Sequence, residues 1–434
     1  MGLKSLLYMV SMLSAVFGAV AINPVIGLVG YLLSYNVNPL SFWWGYQVPG
    51  FLHRYAMIFS VSIMAGMVFH FSRLRFFKWF EAQEILMILY ICIMWISTFT
   101  GIPTDALGEN VLKMTKVTLI LLMASHLVTD IKYFNWVVWV YIFAAFISGF
   151  EIFSSDTVSY RGGRLDMGIG GSDFSEGNFL AAHYLMIMPW VGIKVLTGSW
   201  KVRLFCLMTT AFVVNTLILI ESRGAFLAIG CGVIMTLFLS GAKFRKQILT
   251  LLACGAVGFI FLADASFWNR MHTIETDQST MDRSAMGRIE AWKGAIGMFE
   301  DHPFGVGEGN YKRIIGDYVP QMAGRDTHNT FFRCLAELGI QGLAVLLLMV
   351  QNAFRMLSRI KKQLDVNDPG DQEFSLHILA LRISLLMYLV TTMFLTHTYV
   401  EEFYWLLMLP LFLKRCFDNE RYKAYTTAHP EGTA

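Results

Sequence analysis

The feature that most constrains this chain is the recurrence, along its whole length, of apolar runs of about 17–25 residues, each long enough to cross the roughly 30 Å hydrocarbon core of a bilayer as a helix. Read against charged or turn-forming breaks, these runs fall near 54–71, 83–100, 113–129, 134–153, 178–197, 202–220, 224–241, 246–264, 331–355, 376–397 and 402–414. Residues 5–36 form either one long kinked span or two short ones around Asn23-Pro24. The sequence therefore predicts an all-α integral membrane protein with about 12 spans, 12 or 13 in all. Composition fits a lipid solvent: 56% of residues are hydrophobic and 15% charged, against about 25% charged in an average soluble protein. Lys4 and the apolar stretch to Ala19-Val20-Ala21 have the outline of a signal peptide. A second apolar run follows Asn23-Pro24 at once, which favours an uncleaved anchor.

Net charge is only +3, and no basic tract points to nucleic acid. Basic residues collect in alternate loops instead: Arg73, Arg75 and Lys78; Lys201 and Arg203; Lys243, Arg245 and Lys246; Arg355, Arg359, Lys361 and Lys362; Lys414, Arg415 and Arg421. The positive-inside rule assigns these loops and the C-terminus to the cytoplasm. Stretches 37–53, 101–112, 153–177, 221–223, 265–330 and 397–402 are then expected outside, giving an N-terminal bundle (1–264), one large outer loop (265–330), and C-terminal helices with a cytoplasmic tail (331–434). The six cysteines lack any CxxC and read as small buried packing residues, with no disulfide framework and no metal site. There is no inverted repeat, and no Asp or Glu in the middle of a confident span.

Arginine on the disfavoured side is the sharpest chemical signal. Arg161 and Arg164 sit in Arg-Gly-Gly-Arg, Arg223 in the very short turn Glu-Ser-Arg-Gly, Arg288 at the opening of a helix, and Arg325 three residues before His328. Arg161, Arg223, Arg288 and Arg325 each have a local acid to pair with: Asp166, Glu221, Glu290 and Asp326 respectively. As a set on the outer face they point to a common anionic partner, since the guanidinium fork fits phosphate bidentately and stays charged. A lipid-linked diphosphate suits, and Lys113 and Lys116 add to the same field.

Within the outer loop, Met286 to Glu300 has helical spacing, with Ile289, Trp292, Ile296 and Phe299 on one face, as in a helix lying flat at an interface. Asp301-His302-Pro303 ends it. Gly305-Val-Gly307-Glu-Gly309-Asn310 lacks the strand and the Lys-Ser/Thr of a nucleotide loop, and reads as a flexible, tightly turning segment that lets another chain approach closely. His328-Asn329 stands where the chain re-enters the membrane. An imidazole there is suited to general-base work, being largely neutral near pH 7, and nearby arginines would keep it so. The alternative is a histidine capping the helix start. His183, His272, His302 and His397 are less poised.

Together Ser222-Arg-Gly-Ala, Arg288-Ile-Glu-Ala-Trp292, His302-Pro-Phe-Gly-Val-Gly307 with Asn310, His328-Asn329-Thr-Phe and Ala336-Glu337-Leu-Gly339-Ile resemble the O-antigen ligase and polymerase superfamily of bacterial envelope glycan assembly. The N-terminal half, with Asn23-Pro24-Val-Ile-Gly27 and Asn38-Pro39, is similar to the ligases associated with exosortase systems. The resemblance implies a GT-C-like, multi-span glycosyltransferase of the bacterial inner membrane. It would take a glycan from undecaprenyl diphosphate and pass it, at the periplasmic face and without a metal or cofactor, to an acceptor hydroxyl such as that of lipid A–core. Arg223, Arg288 and His328 match the family's arginine after the short turn, its arginine opening the loop helix, and its histidine before the re-entrant helix. Arg161 and Arg164 fall where family members often carry an arginine.

On this reading His328 takes the acceptor proton in an inverting displacement. Arg223 and Arg288, helped by Arg164 and Arg161, hold the diphosphate. Asn329, Glu337 and Arg325 support the site, with Glu337 or Asp326 orienting His328. A polymerase and a protein O-oligosaccharyltransferase fit the same pattern, the latter less well because the tail after Leu413 is short. A lipid-linked-sugar flippase would need cytoplasm-facing polar residues and two related halves, and Arg382, the nearest candidate, can snorkel to the surface.

Overall fold

A computed structural model of the chain describes residues 2–71, 80–154, 159–161, 164–167, 169–240, 242–262, 268, 283–365 and 368–428. Helices stand where the apolar runs do: α1 (Leu3–Ala21), α2 (Pro24–Asn36), α3 (Tyr55–Phe69), α4 (Ala82–Thr100), α5 (Val111–Leu127), α6 (Ile131–Ser154), α7 (Gly177–Thr197), α8 (Trp200–Ile220), α9 (Arg223–Leu239) and α10 (Ala242–Leu262). Two loop helices, α11 (Arg283–Asp301) and α12 (Tyr311–Tyr318), precede α13 (Thr330–Lys361), α14 (Pro369–Thr392) and α15 (Glu401–Ala428). Eight described stretches are long and apolar enough to cross a membrane: α1, Gly50–Phe69, α4, α6, α7, α8, α13 and α14. The architecture is that of a helical membrane protein. The basic cluster Arg73, Arg75 and Lys78 and most of 263–282, with His272, lie outside the described residues.

Chain chemistry decides the breaks. Asn23 caps α2 by accepting from the Val25 N–H at 2.9 Å, with Pro24 at the first helical position, so residues 5–36 become two helices. They pack through glycine, for a Cβ on Gly30 would lie 2.7 Å from Ala15 Cβ and 2.5 Å from the Phe59 ring. An antiparallel hairpin of β1 (Ser159–Arg161) and β2 (Arg164–Met167), which the helical reading does not anticipate, pairs Tyr160 with Leu165. At the middle of the bundle stands α15, whose residues Phe403 to Leu413 are buried on all sides by α5, α6, α13 and α14. A helix apolar all round belongs in such a place.

The expected outer stretches gather at one end of this bundle. Ser172 N–H donates to the Tyr35 carbonyl at 3.0 Å, Ile102 N–H to the Val306 carbonyl at 2.9 Å, and Glu401 N–H to Asp173 at 2.9 Å. At the opposite end Lys414 pairs with Glu81, Lys423 with Asp130 and Arg421 with Asp371. One end is thus stitched by loop backbone, the other by ion pairs of the basic segments.

The sequence reads 331–355 as one continuous span, but α13 is broken at Gly339 (φ 67°, ψ −169°). A break strands carbonyls that the helix would have used. Here Val306 N–H takes the Ala336 carbonyl at 2.9 Å and Gly307 N–H the Glu337 carbonyl at 3.1 Å, while Ile340 N–H donates to Pro303 at 3.1 Å. The glycine-rich loop is what makes this fit possible. Gly305 (φ 93°) lies so close that a Cβ would sit 2.3 Å from the Glu337 carbonyl oxygen. The close approach inferred from sequence is therefore to the chain's own broken helix.

Two packing expectations need correction. The buried face of α11 is Ala291, Ala295 and Met298, whereas Ile296 is exposed. Small residues win this face because they let α12 come close; a Cβ on Gly294 would meet Ile315 Cδ1 at 2.3 Å. Of the cysteines, all free, Cys206, Cys334 and Cys416 are buried, but Cys92 and Cys254 lie on exposed helix faces.

Glu308 is fully buried in the glycine loop, where its Oε1 accepts from Asn110 N–H (3.1 Å) and Nδ2 (2.7 Å) and its Oε2 meets no partner among the described residues. Burial pushes its pKa up to about 7 from 4.5, against the pull of Asn110. Between those values the folded state binds more protons than the unfolded chain, so stability falls as pH rises through the window and stays low above it. Glu308→Gln should accordingly outlast wild type in thermal melts above pH 7 by about 1–3 kcal/mol, with the gap closing near pH 4.5. Equal melting at both pH values would contradict the assignment.

Candidate functional site

The turn 326–330 is built before its histidine is placed. Asn329, not His328, caps α13, its side chain accepting from Phe331 N–H at 2.9 Å and Phe332 N–H at 3.0 Å, while Nδ2 donates to the Met393 carbonyl at 3.1 Å. Thr330 hydroxyl donates to the Leu395 carbonyl at 2.8 Å, and Trp292 Nε1 to the Thr327 carbonyl at 3.0 Å. The Trp292 ring stacks on Phe332 at 5.4 Å, which ties α11 to the first turn of α13. His328 itself adopts φ 47°, a left-handed conformation uncommon outside glycine, and is exposed.

Asp326 fastens this turn. Its Oδ1 accepts from Thr327 N–H at 2.7 Å and Thr396 hydroxyl at 2.8 Å, and its Oδ2 from Arg333 at 3.0 Å and Lys312 at 3.2 Å. Burial alone would raise its pKa, but Arg333 and Lys312 hold it at about 2. Glu337, fully buried, accepts from Tyr311 N–H at 2.9 Å, Arg333 Nε at 3.1 Å and Tyr399 hydroxyl at 2.6 Å.

Although one edge of His328 is open, the surrounding protein strips enough water to lower its pKa. Asp326 opposes the shift, Arg288 reinforces it, Glu176 opposes it and Lys312 reinforces it. Two cations and two carboxylates thus bear on one imidazole, and the outcome is a neutral base near pH 7.

The arginines stand on separate elements. Arg288, on α11, lies over the Phe394 ring at 6.0 Å. Gly224, beside Arg223 at the start of α9, packs on that same ring, where a Cβ would be 3.2 Å from Phe394 Cδ2. Phe394 thus lies against both Arg288 and Gly224, the neighbour of Arg223. Glu221 makes the sharp turn before Arg223, at φ 51°. Arg164 is half-buried on β2, and the hairpin rests on the start of α7, with Gly177 against the Leu165 carbonyl and Ile220. The side chain of Arg161 lies outside the described residues. Arg325 is exposed, and its expected partner Asp326 is engaged by Arg333 and Lys312. Lys113 pairs with Asp173 at 2.6 Å. His183 is buried against Glu402 and stacked on Phe174, and His397 is wedged between Phe179 and Tyr388.

Sequence reasoning missed Arg333, Lys312, Glu176, Thr396 and Phe394. Only Arg333 carried a signal, its spacing of four residues from Glu337 on a helix. Among the described residues no group of three or more His, Cys, Asp or Glu side chains is arranged to hold a metal ion.

Histidine-selective NMR in detergent, with His328 assigned through His328→Asn, should find a titration midpoint below 6.5. Arg288→Ala should raise the midpoint by removing a cation, and Glu176→Gln should lower it further by removing an anion. Shifts of the opposite sign would mean that these groups do not face His328.

No curated protein matches the chain. Residues 208–347, about a third of the sequence, match the family model described as O-antigen ligase. The matched stretch holds Arg223, Arg288, His328, Arg333 and Glu337, and leaves out Arg161, Arg164 and Glu176. Such ligases and polymerases act on lipid-linked glycans and lipid-associated acceptors, so the match supports an enzyme of that general type. Over this third of its length the chain is similar to the O-antigen ligase family.

Proposed function

We propose that the protein is an O-antigen ligase of the bacterial inner membrane, transferring a glycan from undecaprenyl diphosphate to a hydroxyl of lipid A–core at the periplasmic face. The observation that carries this reading is the open imidazole of His328, its pKa lowered, beside Arg288 and Lys312, with Gly224, next to Arg223, packed on the Phe394 ring under Arg288. A base next to fixed cations is what a displacement at a diphosphate-bound anomeric carbon asks for.

In the proposed step, His328 accepts the proton of the acceptor hydroxyl as that oxygen bonds to the anomeric carbon. The carbon–oxygen bond to the diphosphate breaks on the opposite face, inverting the centre. The electron pair leaves with undecaprenyl diphosphate, whose growing charge Arg223 and Arg288 receive, assisted by Arg164 and Arg161, while Arg325 supports the site. These fixed positive groups do the work a divalent cation does in other diphosphate-leaving reactions. Asn329 and Glu337 hold the turn and the helix from which His328 projects.

The test is a product gel with purified protein, an undecaprenyl-diphosphate glycan and lipid A–core in the presence of EDTA. Wild type should join glycan to lipid A–core, and His328→Ala should fall by about 100-fold or more. Longer lipid-linked glycan in place of the ligated product would mean a polymerase. Equal activity of the alanine variant would remove His328 from the chemistry.

A further inference from the structure

Arg333 is nearly buried one turn into α13, and none of the roles above uses it. Its guanidinium spans two carboxylates on different elements: Nε reaches Glu337 at 3.1 Å, and a terminal nitrogen reaches Asp326 at 3.0 Å. It also lies over the Tyr399 ring at 5.7 Å, and Tyr399 hydroxyl donates to the same Glu337 at 2.6 Å. Glu337 belongs to the helix just before its break at Gly339, whereas Asp326 precedes His328 by two residues.

The consequence is mechanical. Asp326 cannot pivot, since both its oxygens are engaged by Arg333, Lys312, Thr396 and Thr327. His328, at φ 47°, keeps a conformation that a non-glycine residue holds only when its surroundings impose it. A planar fork with donors pointing two ways is suited to this bridging, and an ammonium is not.

We propose that Arg333 is a positioning residue for His328, locking the turn 326–330 to the broken helix by bridging Asp326 and Glu337. This rests on the reading of His328 as the base. The charged groups facing His328 are Asp326, Arg288, Glu176 and Lys312, so Arg333 acts on it through Asp326.

Removing Arg333 alone leaves Glu337 buried with a charge, which endangers folding. The test therefore uses Arg333→Gln/Glu337→Gln, which neutralises both and keeps amides for Tyr311 and Tyr399, together with Arg333→Lys. Two quantities are read on full-length protein: kcat and donor KM, and the pH dependence of diethyl pyrocarbonate labelling of His328 followed by peptide mass spectrometry. In the double variant kcat should fall by about 30-fold with donor KM within about twofold, because the base is misplaced while donor binding is kept. The labelling midpoint should rise by several tenths of a pH unit, since Asp326 then faces His328 with Lys312 but without Arg333 to counter it. Arg333→Lys should recover only part of kcat. Wild-type kcat and an unmoved midpoint in the folded double variant would overturn the proposal. Failure of the base reading looks different: His328→Ala would stay active while the labelling midpoint, which needs no turnover, still moved in the double variant.

Discussion

Glu337 sits fully buried in the last turn before α13 breaks, with Arg333, Tyr311 N–H and Tyr399 hydroxyl all donating to it. A charge taken out of water there is tolerable only because its lone pairs are filled, and loss of one charged partner from such a pair costs about 3–5 kcal/mol. Each donor comes from a different part of the outer end: the re-entrant helix, the loop helix α12, and the segment entering α15. This carboxylate therefore fixes the relative placement of three elements. Arg333 passes the constraint on to Asp326, and so to the turn that carries His328.

The break at Gly339 makes that arrangement possible. An unbroken helix would use its own carbonyls and offer nothing to the glycine-rich loop. Broken, it presents the Ala336 and Glu337 carbonyls to Val306 and Gly307, so the loop is stitched in by backbone alone. Glycine is required at both partners, since Gly305 and Gly339 have positive φ, and a Cβ on Gly305 would meet the Glu337 carbonyl while one on Gly339 would meet the Pro303 and Phe304 backbone. The same loop reaches 101–110 through Ile102, Thr104 and Asn110, which anchors it to α4 and α5. A rigid frame of this kind suits a base that must meet its substrate at a fixed distance.

Much of this was legible in the sequence. Apolar length located the helices, because a bilayer-sized run has few other folds open to it. Asn23-Pro24 marked a break, and Asp301-His302-Pro303 ended α11 as expected. Arginine on the disfavoured side pointed to Arg288, which the fold brings to bear on His328. What the sequence hid was tertiary. The buried face of α11 went to Ala291 and Ala295 because close packing outweighed side-chain size. Gly339 lay inside an apolar run, where periodicity does not distinguish a break from a close-packing glycine. Lys312, Phe394 and Thr396 have ordinary local contexts, and only the fold brings them to Asp326 and Arg288.

In the proposed reaction, cations hold a diphosphate and an imidazole moves a proton. The most direct measurement compares undecaprenyl diphosphate binding with single-turnover transfer in Arg223→Ala, Arg288→Ala and His328→Ala. Each arginine variant should bind about tenfold more weakly or worse, whereas His328→Ala should bind as wild type does and yet fail to transfer. If His328→Ala lost binding as the arginine variants do, or if those variants bound and transferred like wild type, the division would be wrong.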